Sequence, residues 1–438
     1  MIRAAYSIVL LQAAIVPLRA ADFSAFTHSQ HCTLSTGTAG LSGSVFNFPL
    51  LVRLTEAENR EVFENARNDG HDIRFTKADN QTPLYYEMER WDLSGADSVA
   101  EFWVLVDTVA HDDDQRYIVL HCGNSDSSTD RSADSLVFNT SNGFAGVWHL
   151  GESGAGSAGD FKDATTNRKH STNTGYQPDR TTGIVGYGQS FGGAAATDRI
   201  EIGDHSVHEG MSELTVSVWA RLASGSDHTQ NYRALAKEND YALVREGSAW
   251  DSLFHFYGGS STDNPAGQNH FLSDSLGYWS GVFKGGSYSR LFRDGAQVDE
   301  STAGIFSEIA TSTDALWFGN RSTGGCEDCW WNGLLDEIRI ENVARSPDWV
   351  KLCYETQKSG ASVVAYGAVQ GKLPTGTISI DDGAYTSDAT PAITVTSTYA
   401  VEMRFQVNSE GWQAWEAVNT VKADLDVSSG GDGTKTVY

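Results

Sequence analysis

Runs rich in Val, Ile, Phe, Tyr and Trp recur along the chain, and nearly every one is cut short by Gly, Asn, Asp or Ser. An amphipathic helix needs a 3.6-residue apolar period sustained over several turns, and these runs are too short to hold one. They suit strands that turn back on themselves, and 44 Gly against only 8 Pro supply the turns. The expected fold class is therefore all-β, made of β-sandwich modules. Helical patterning survives over residues 56–68, behind a candidate N-cap at Thr55, and over residues 347–357. Since single hydrophobic cores stop growing at roughly 250–300 residues, a chain of 438 should divide into two to four domains.

Lys+Arg 31 against Asp+Glu 57 leaves a net charge of −26. That charge keeps the chain soluble and repels polyanions, so nucleic acid and anionic membranes are poor partners. The carboxylates either form a solvated acidic surface or hold a hard cation such as calcium. The start, Met1-Ile2-Arg3 followed by an apolar stretch from Ala4 to Val16, with small residues at Ala20 and Ala21, reads as a secretory signal over residues 1–21. No later segment is apolar enough to span a bilayer as a helix. A secreted or cell-surface location is expected. Five cysteines, Cys32, Cys122, Cys326, Cys329 and Cys353, are too few for a disulfide-built scaffold and odd in number. Cys326-Glu327-Asp328-Cys329 has the spacing of half a zinc site without a second half, and a local disulfide is the simpler reading.

Between Phe48 and Asn124, strand-like runs fall at 49–54, 72–76, 84–91, 100–106 and 116–121. The stretch Asn47-Phe48-Pro49-Leu50-Leu51-Val52-Arg53-Leu54, then Asp72-Ile73-Arg74-Phe75, then Tyr86-Glu87-Met88-Glu89-Arg90-Trp91, and finally Gly123-Asn124 resembles the bacterial family called domain of unknown function 2341. The resemblance covers residues 22–142 and implies a piece of an exported protein, with no activity attached. Leu120-His121-Cys122 departs from it, since the family usually has a tyrosine pair before the Gly-Asn.

Further on come Val147-Trp148-His149-Leu150-Gly151-Glu152, Gln189-Ser190-Phe191-Gly192-Gly193, Asp198-Arg199-Ile200-Glu201-Ile202, Leu214-Thr215-Val216-Ser217-Val218-Trp219-Ala220 and Gly333-Leu334-Leu335-Asp336-Glu337-Ile338-Arg339-Ile340. In that order they resemble the laminin G-like, concanavalin A-like jelly roll, which implies a central sandwich over residues 143–370. Alternation puts Leu214, Val216, Val218 and Ala220 on one strand face and Thr215, Ser217 and Trp219 on the other. Asp294-Gly295 is a two-residue hairpin signal. Past the linker-like Gly371-Lys372-Leu373-Pro374-Thr375-Gly376, residues 371–438 resemble part of a bacterial immunoglobulin-like repeat, shorter than the roughly 100 residues of a complete sandwich. A fragment of a longer protein is expected.

The jelly-roll resemblance implies calcium as a structural ion tying the domain ends together, with Glu152, Asp163 and Asp336 as oxygen donors. The alternative is that Asp336 ends a strand and Asp163 caps a turn. Glu337 and Glu341 share a strand face, as in jelly-roll glucanases. Arg339 lies between them, and the two acids are spaced by roughly 13 Å of backbone, wider than the roughly 5–10 Å that flank a glycosidic bond. No Gly-x-Ser-x-Gly turn, His-Glu-x-x-His pair or phosphate loop is present. His149 reads as a core residue rather than a base. Sugar recognition needs aromatic faces with a few polar partners, for which Trp250, Tyr257, Trp330 and Trp331 are the candidates, while Trp219 and Trp279 read as structural. The expectation is a non-catalytic binding or adhesion protein for a glycan or cell-surface ligand. A polysaccharide-degrading enzyme and a structural spacer are the alternatives.

Overall fold

The computed structural model describes residues 23–371 apart from 38, 112, 128, 194–196, 227–229, 246–251, 259–260, 264–265, 268–274 and 323–328, together with scattered residues beyond 374. The expected leader, Trp250 and Cys326 lie outside the described residues.

Strands dominate, as the broken apolar runs require. The first module has two antiparallel sheets. One orders Val45–Thr55, Val99–Val109 and Tyr86–Asp92; the other orders Val364–Tyr366, His28–Leu34, Tyr117–Cys122 and Arg74–Lys77. Phe75 meets Phe102 and Tyr86 edge-on between them. The pleat turns alternate residues of the three-stranded sheet outward, so Glu87, Glu101 and Trp103 face away from that core, with Glu87 opposite Trp103 and Arg53 opposite Glu101. The helix Glu56–Asn65 forms where patterning places it, but Thr55 makes no side-chain cap; Asn59 Oδ1 instead accepts the Thr55 N–H at 3.0 Å.

The jelly roll follows. Its eight-stranded sheet orders Ala296–Ser301, Tyr288–Arg293, Gly277–Lys284, Glu213–Leu222, Asn332–Glu341, Tyr187–Gly192 and Asp179–Thr182, with Phe144–Trp148 also paired to Asn332–Glu341. Its seven-stranded sheet runs from the edge strand Ile200–Gly203 through Leu316–Phe318, Tyr232–Lys237 and Tyr241–Arg245 to Ser252–Gly258 and beyond. Leu214, Val216, Val218 and Ala220 enter the core between these sheets, as the alternation requires, and Trp279 joins them. At the hairpin tip Asp294 and Gly295 take φ of 50° and 76°, and Arg293 pairs with Ala296, the left-handed two-residue turn that matches strand twist.

The chain then returns to the first module. Helix Pro347–Gln357, capped by Ser346, packs Trp349 against Phe48, and Val364–Tyr366 and Gln370–Gly371 pair with His28–Leu34. Residues expected inside the 143–370 module therefore complete the sheet of the first. One apolar core runs through the junction, joining Phe48, Trp103 and Trp349 to Trp219, Tyr278 and Phe292 on the outer face of the eight-stranded sheet. Each large apolar side chain so buried contributes roughly 1.5–3 kcal/mol. Trp219 is buried there, its Nε1 donating to Gln357 Oε1 at 2.7 Å.

Beyond residue 374, Thr375–Ile380, Ile393–Thr398 and Val421–Lys422 form a small sheet over Ile393, Phe405, Val407 and Leu425. Among the described residues no helix is long and apolar enough to cross a membrane.

Candidate functional site

The strand Asn332–Glu341 determines what the eight-stranded sheet presents to the first module. Its register with Glu213–Leu222 slips between Ser217 and Trp219, and Glu337 takes a φ of 52°. A bulge sets two residues against one and re-aims side chains. Leu335 and Ile338 both enter the core, which leaves Asp336 and Glu337 turned together toward the first module, followed by Arg339 and Glu341.

Groups of the same chain pair with each of these charges. Glu337 Oε1 lies 2.7 Å from His149 Nδ1, and its Oε2 accepts from Arg339 at 2.8 Å. The Arg339 guanidinium lies over the rings of Trp103 and Phe138, at 4.4 and 5.0 Å. Asp336 Oδ2 accepts the Ile184 and Val185 N–H groups at 2.7 and 3.2 Å. Glu341 pairs with Arg345, whose guanidinium covers Trp349 at 3.6 Å. From the first module, Glu101 accepts from Gly186 N–H and from Arg53 Nε, both at 2.7 Å. Glu87 and Glu89 reach His149 at 3.3 and 3.5 Å.

Burial and proximity split the protonation of this cluster. Burial works against charge on Glu337, but His149 and Arg339 outweigh it and hold the carboxyl below its ordinary range. His149 is likewise opposed by burial, yet Glu337, Glu89 and Glu87 raise it well above the ordinary imidazole value. Asp336 is pushed well above the carboxylate range by burial and by Glu337 beside it, and burial lifts Glu89 to about 8. Strong mutual pairing of this kind ties the two modules together through charge.

The outer face of the seven-stranded sheet differs. Ile200, Ile202, Leu316 and Phe318 enter the core, so Glu201 and Trp317, which stand opposite one another, point outward. Both are partly exposed. Arg199 lies over Trp317 at 5.1 Å and over Tyr176 at 4.8 Å, and its Nε donates to Glu201 Oε1 at 2.6 Å. Tyr176 is 60 % exposed. The segment carrying it fastens onto the edge strand through Thr172 N–H to Glu201 O at 2.6 Å and Arg199 N–H to Tyr176 O at 2.9 Å. Two aromatic rings, a guanidinium and a carboxylate thus share one accessible patch.

The residues expected to bind ligand scatter. Trp331 is a correction: it is fully buried in the jelly-roll core, because the residue alternation that exposes Trp330 in part turns Trp331 inward. Tyr257 is partly exposed on the outer face of its strand, 3.0 Å from His255 Nδ1.

Nor do the expected calcium ligands meet. Asp163 is saturated, accepting from Val147 N–H, Thr165 N–H and Oγ1, and Lys169 N–H at 2.8–3.1 Å. Glu152 accepts from Lys162 N–H, and Asp336 from Ile184 and Val185. Among the described residues the acid and histidine group whose ligand atoms fall within 4.8 Å of one another is Glu87, Glu89 and His149. The three expected donors therefore do not fit a shared calcium ion. Cys329 is disulfide-bonded, while Cys32, Cys122 and Cys353 are free and buried.

Neither Glu87 and Glu89 nor the Tyr176–Arg199–Trp317 patch was singled out from sequence. The alternations Glu87-Met88-Glu89 and Leu316-Trp317-Phe318 carry the signal, since each implies polar or aromatic groups on the face opposite the core.

Residues 69–150 match the family described as domain of unknown function (DUF2341), and residues 192–351 match the concanavalin A-like lectin/glucanases superfamily. The chain thus carries a DUF2341 module followed by a concanavalin A-like domain. No curated protein matches it significantly. Similar solved structures include domain 4 of AbnA, a GH43 extracellular arabinanase from Geobacillus stearothermophilus, in complex with arabinotriose, at 19% identity and TM-score 0.32, covering 41% of this chain and 82% of that one. The SAP-like pentraxin of Limulus polyphemus is similar at 13% identity and TM-score 0.28, over 33% and 71% of the two chains. The botulinum neurotoxin serotype G binding domain is similar at 9% identity and TM-score 0.37, over 65% and 82%.

Proposed function

We propose that the chain is an exported, non-catalytic binding protein whose jelly roll engages a neutral glycan or glycan-bearing surface ligand through Tyr176, Arg199, Glu201 and Trp317. The observation that carries this reading is the accessible aromatic–guanidinium–aromatic stack with a carboxylate beside it. Aromatic faces stack on the apolar face of a sugar, while fixed polar groups orient its hydroxyls. The chain's charge of −26 disfavours a polyanionic ligand. The non-catalytic part is supported by the fate of the acids where a jelly-roll glucanase would carry its catalytic pair: Glu337 and Glu341 are both buried under the first module and ion-paired. A glycan array probed with the full chain tests the proposal. Binding to neutral glycans that Trp317→Ala abolishes supports it; turnover of a bound polysaccharide, or binding indifferent to Trp317 and Arg199, overturns it.

A further inference from the structure

We propose that the ligand of the jelly roll is a glycan chain of about three or more sugar units, laid across the strands of the seven-stranded sheet from Trp317 to Tyr257, rather than a single terminal sugar. The inference rests on the glycan reading above and deepens it. Paired residues on adjacent strands share one face of a sheet. Glu201 pairs with Trp317, Trp317 with Ala236, Ala236 with Ala242 and Ala242 with His255, a single row from the edge strand Ile200–Gly203 to Ser252–Gly258. The row is turned away from the core. Ala236, Ala242 and Val244 form a small apolar cluster of their own, while Phe254 and Phe256, on either side of His255, enter the core with Leu316 and Phe318. Alternation therefore puts His255 and Tyr257 on the face that carries Trp317.

Both ends of the row are aromatic. Trp317 stands at one, with Tyr176 beyond it, and the partly exposed Tyr257 at the other, its hydroxyl fixed 3.0 Å from His255 Nδ1. Between them the side chains are small, and a charged bridge lies beside them: Arg233, which pairs with Val244, and Arg321 both hold Glu238, at 3.5 and 2.9 Å. Arg321 keeps 19 % of its side chain exposed, so a fixed polar group is available to sugar hydroxyls midway along the row. Three strand steps separate the strand of Trp317 from that of Tyr257. At about 4.8 Å per step the two aromatic ends stand roughly 14 Å apart, farther than one sugar ring can reach. A chain already held at Trp317 meets Tyr257 at a high effective concentration, so the second contact adds to the first.

The full chain is titrated calorimetrically with a size ladder, from the monosaccharide to about the hexasaccharide, cut from the linear neutral glycan that binds best on the array. Affinity should rise at least tenfold between the disaccharide and the tetrasaccharide and then level off. Tyr257→Ala should cancel that rise and leave disaccharide affinity unchanged, whereas Tyr257→Phe, which keeps the ring, should retain it. In the parent chain, hydrogen–deuterium exchange should show Ser252–Gly258 protected by the tetrasaccharide and not by the disaccharide, a readout independent of how the variants fold. Equal affinity along the ladder, or a rise that survives in folded Tyr257→Ala, overturns the extended site and leaves the Trp317 patch standing. Absence of any glycan binding, or binding indifferent to Trp317, overturns the patch and the extended site together.

Discussion

The eight-stranded sheet of the jelly roll carries Asp336, Glu337, Arg339 and Glu341 on its outer face, none more than 2 % exposed, while the seven-stranded sheet carries Glu201, Trp317 and the neighbouring Arg199 and Tyr176 on its own outer face, all reachable by solvent. Both faces are rich in charge beside aromatic rings, so composition does not separate them. The difference lies in what covers each. On the first face every acid has been matched by a group of the same chain, and the cation–aromatic contacts of Arg339 and Arg345 are sealed under Trp103, Phe138 and Trp349. On the second, the same kinds of group remain available to something outside. Similar chemistry serves as a joint in one place and as a recognition patch in the other, according to whether water has been excluded.

The strongest way to break this comparison is at the joint. Arg339→Met removes one of the two cationic partners of a fully buried Glu337, leaving His149 alone to hold it, and should cost up to about 3–5 kcal/mol, since breaking a buried ion pair by removing one member is strongly destabilising. Denaturant unfolding of the full chain reads the loss, and a change below about 1 kcal/mol would mean that the interface is looser than its burial implies.

A pH series separates the two sides by sign. His208, under the jelly-roll core, is driven by burial to about 3, with His205, Lys237 and Lys169 adding repulsion. Its folded value lies below its unfolded one, so its contribution is present above the unfolded value near 6.5 and is lost as pH falls toward 3. The loss is up to about 1.4 kcal/mol per pH unit. His149 is shifted the other way, so its contribution is present below pH 6.5 and fades as pH rises through its raised folded value. Melting temperatures of the parent and of His208→Leu, measured from pH 7 to 5, should show the shallower acid slope in the variant.

Trp317→Ala sharpens the contrast from the other face. It should cost only about 1 kcal/mol or less of stability, as a partly exposed residue outside the core, yet weaken glycan binding tenfold or more. At the small end, Arg60→Ala removes the exposed, solvent-screened pairs with Glu56 and Glu64 and should leave the melting temperature unchanged within experimental error.

Much of the architecture was legible from short-range pattern. The Leu214–Ala220 alternation, the Asp294-Gly295 hairpin and the helix over residues 347–357 all form where the residues place them, because each is fixed by neighbours in sequence. The joint was not legible, because it depends on partners far apart in the chain. His149 reads as a core residue and is buried, but its neighbours are carboxylates more than fifty residues before it and nearly two hundred after it. The Glu337 bulge breaks the period-two rule, so two successive acids share a face that simple alternation would assign to one of them. Trp331 shows the converse: an aromatic pair reads as a sugar platform, while alternation sends one ring into the core.

Hydrogen–deuterium exchange of the full chain, with and without its best array glycan, tests the central claim that one face of the jelly roll is closed by the first module and the other is open to ligand. The account predicts ligand-induced protection on Ile200–Gly203, Leu316–Phe318 and the segment around Tyr176, with Asn332–Glu341 already protected and unchanged. Ligand-induced protection centred on Asn332–Glu341 would contradict it.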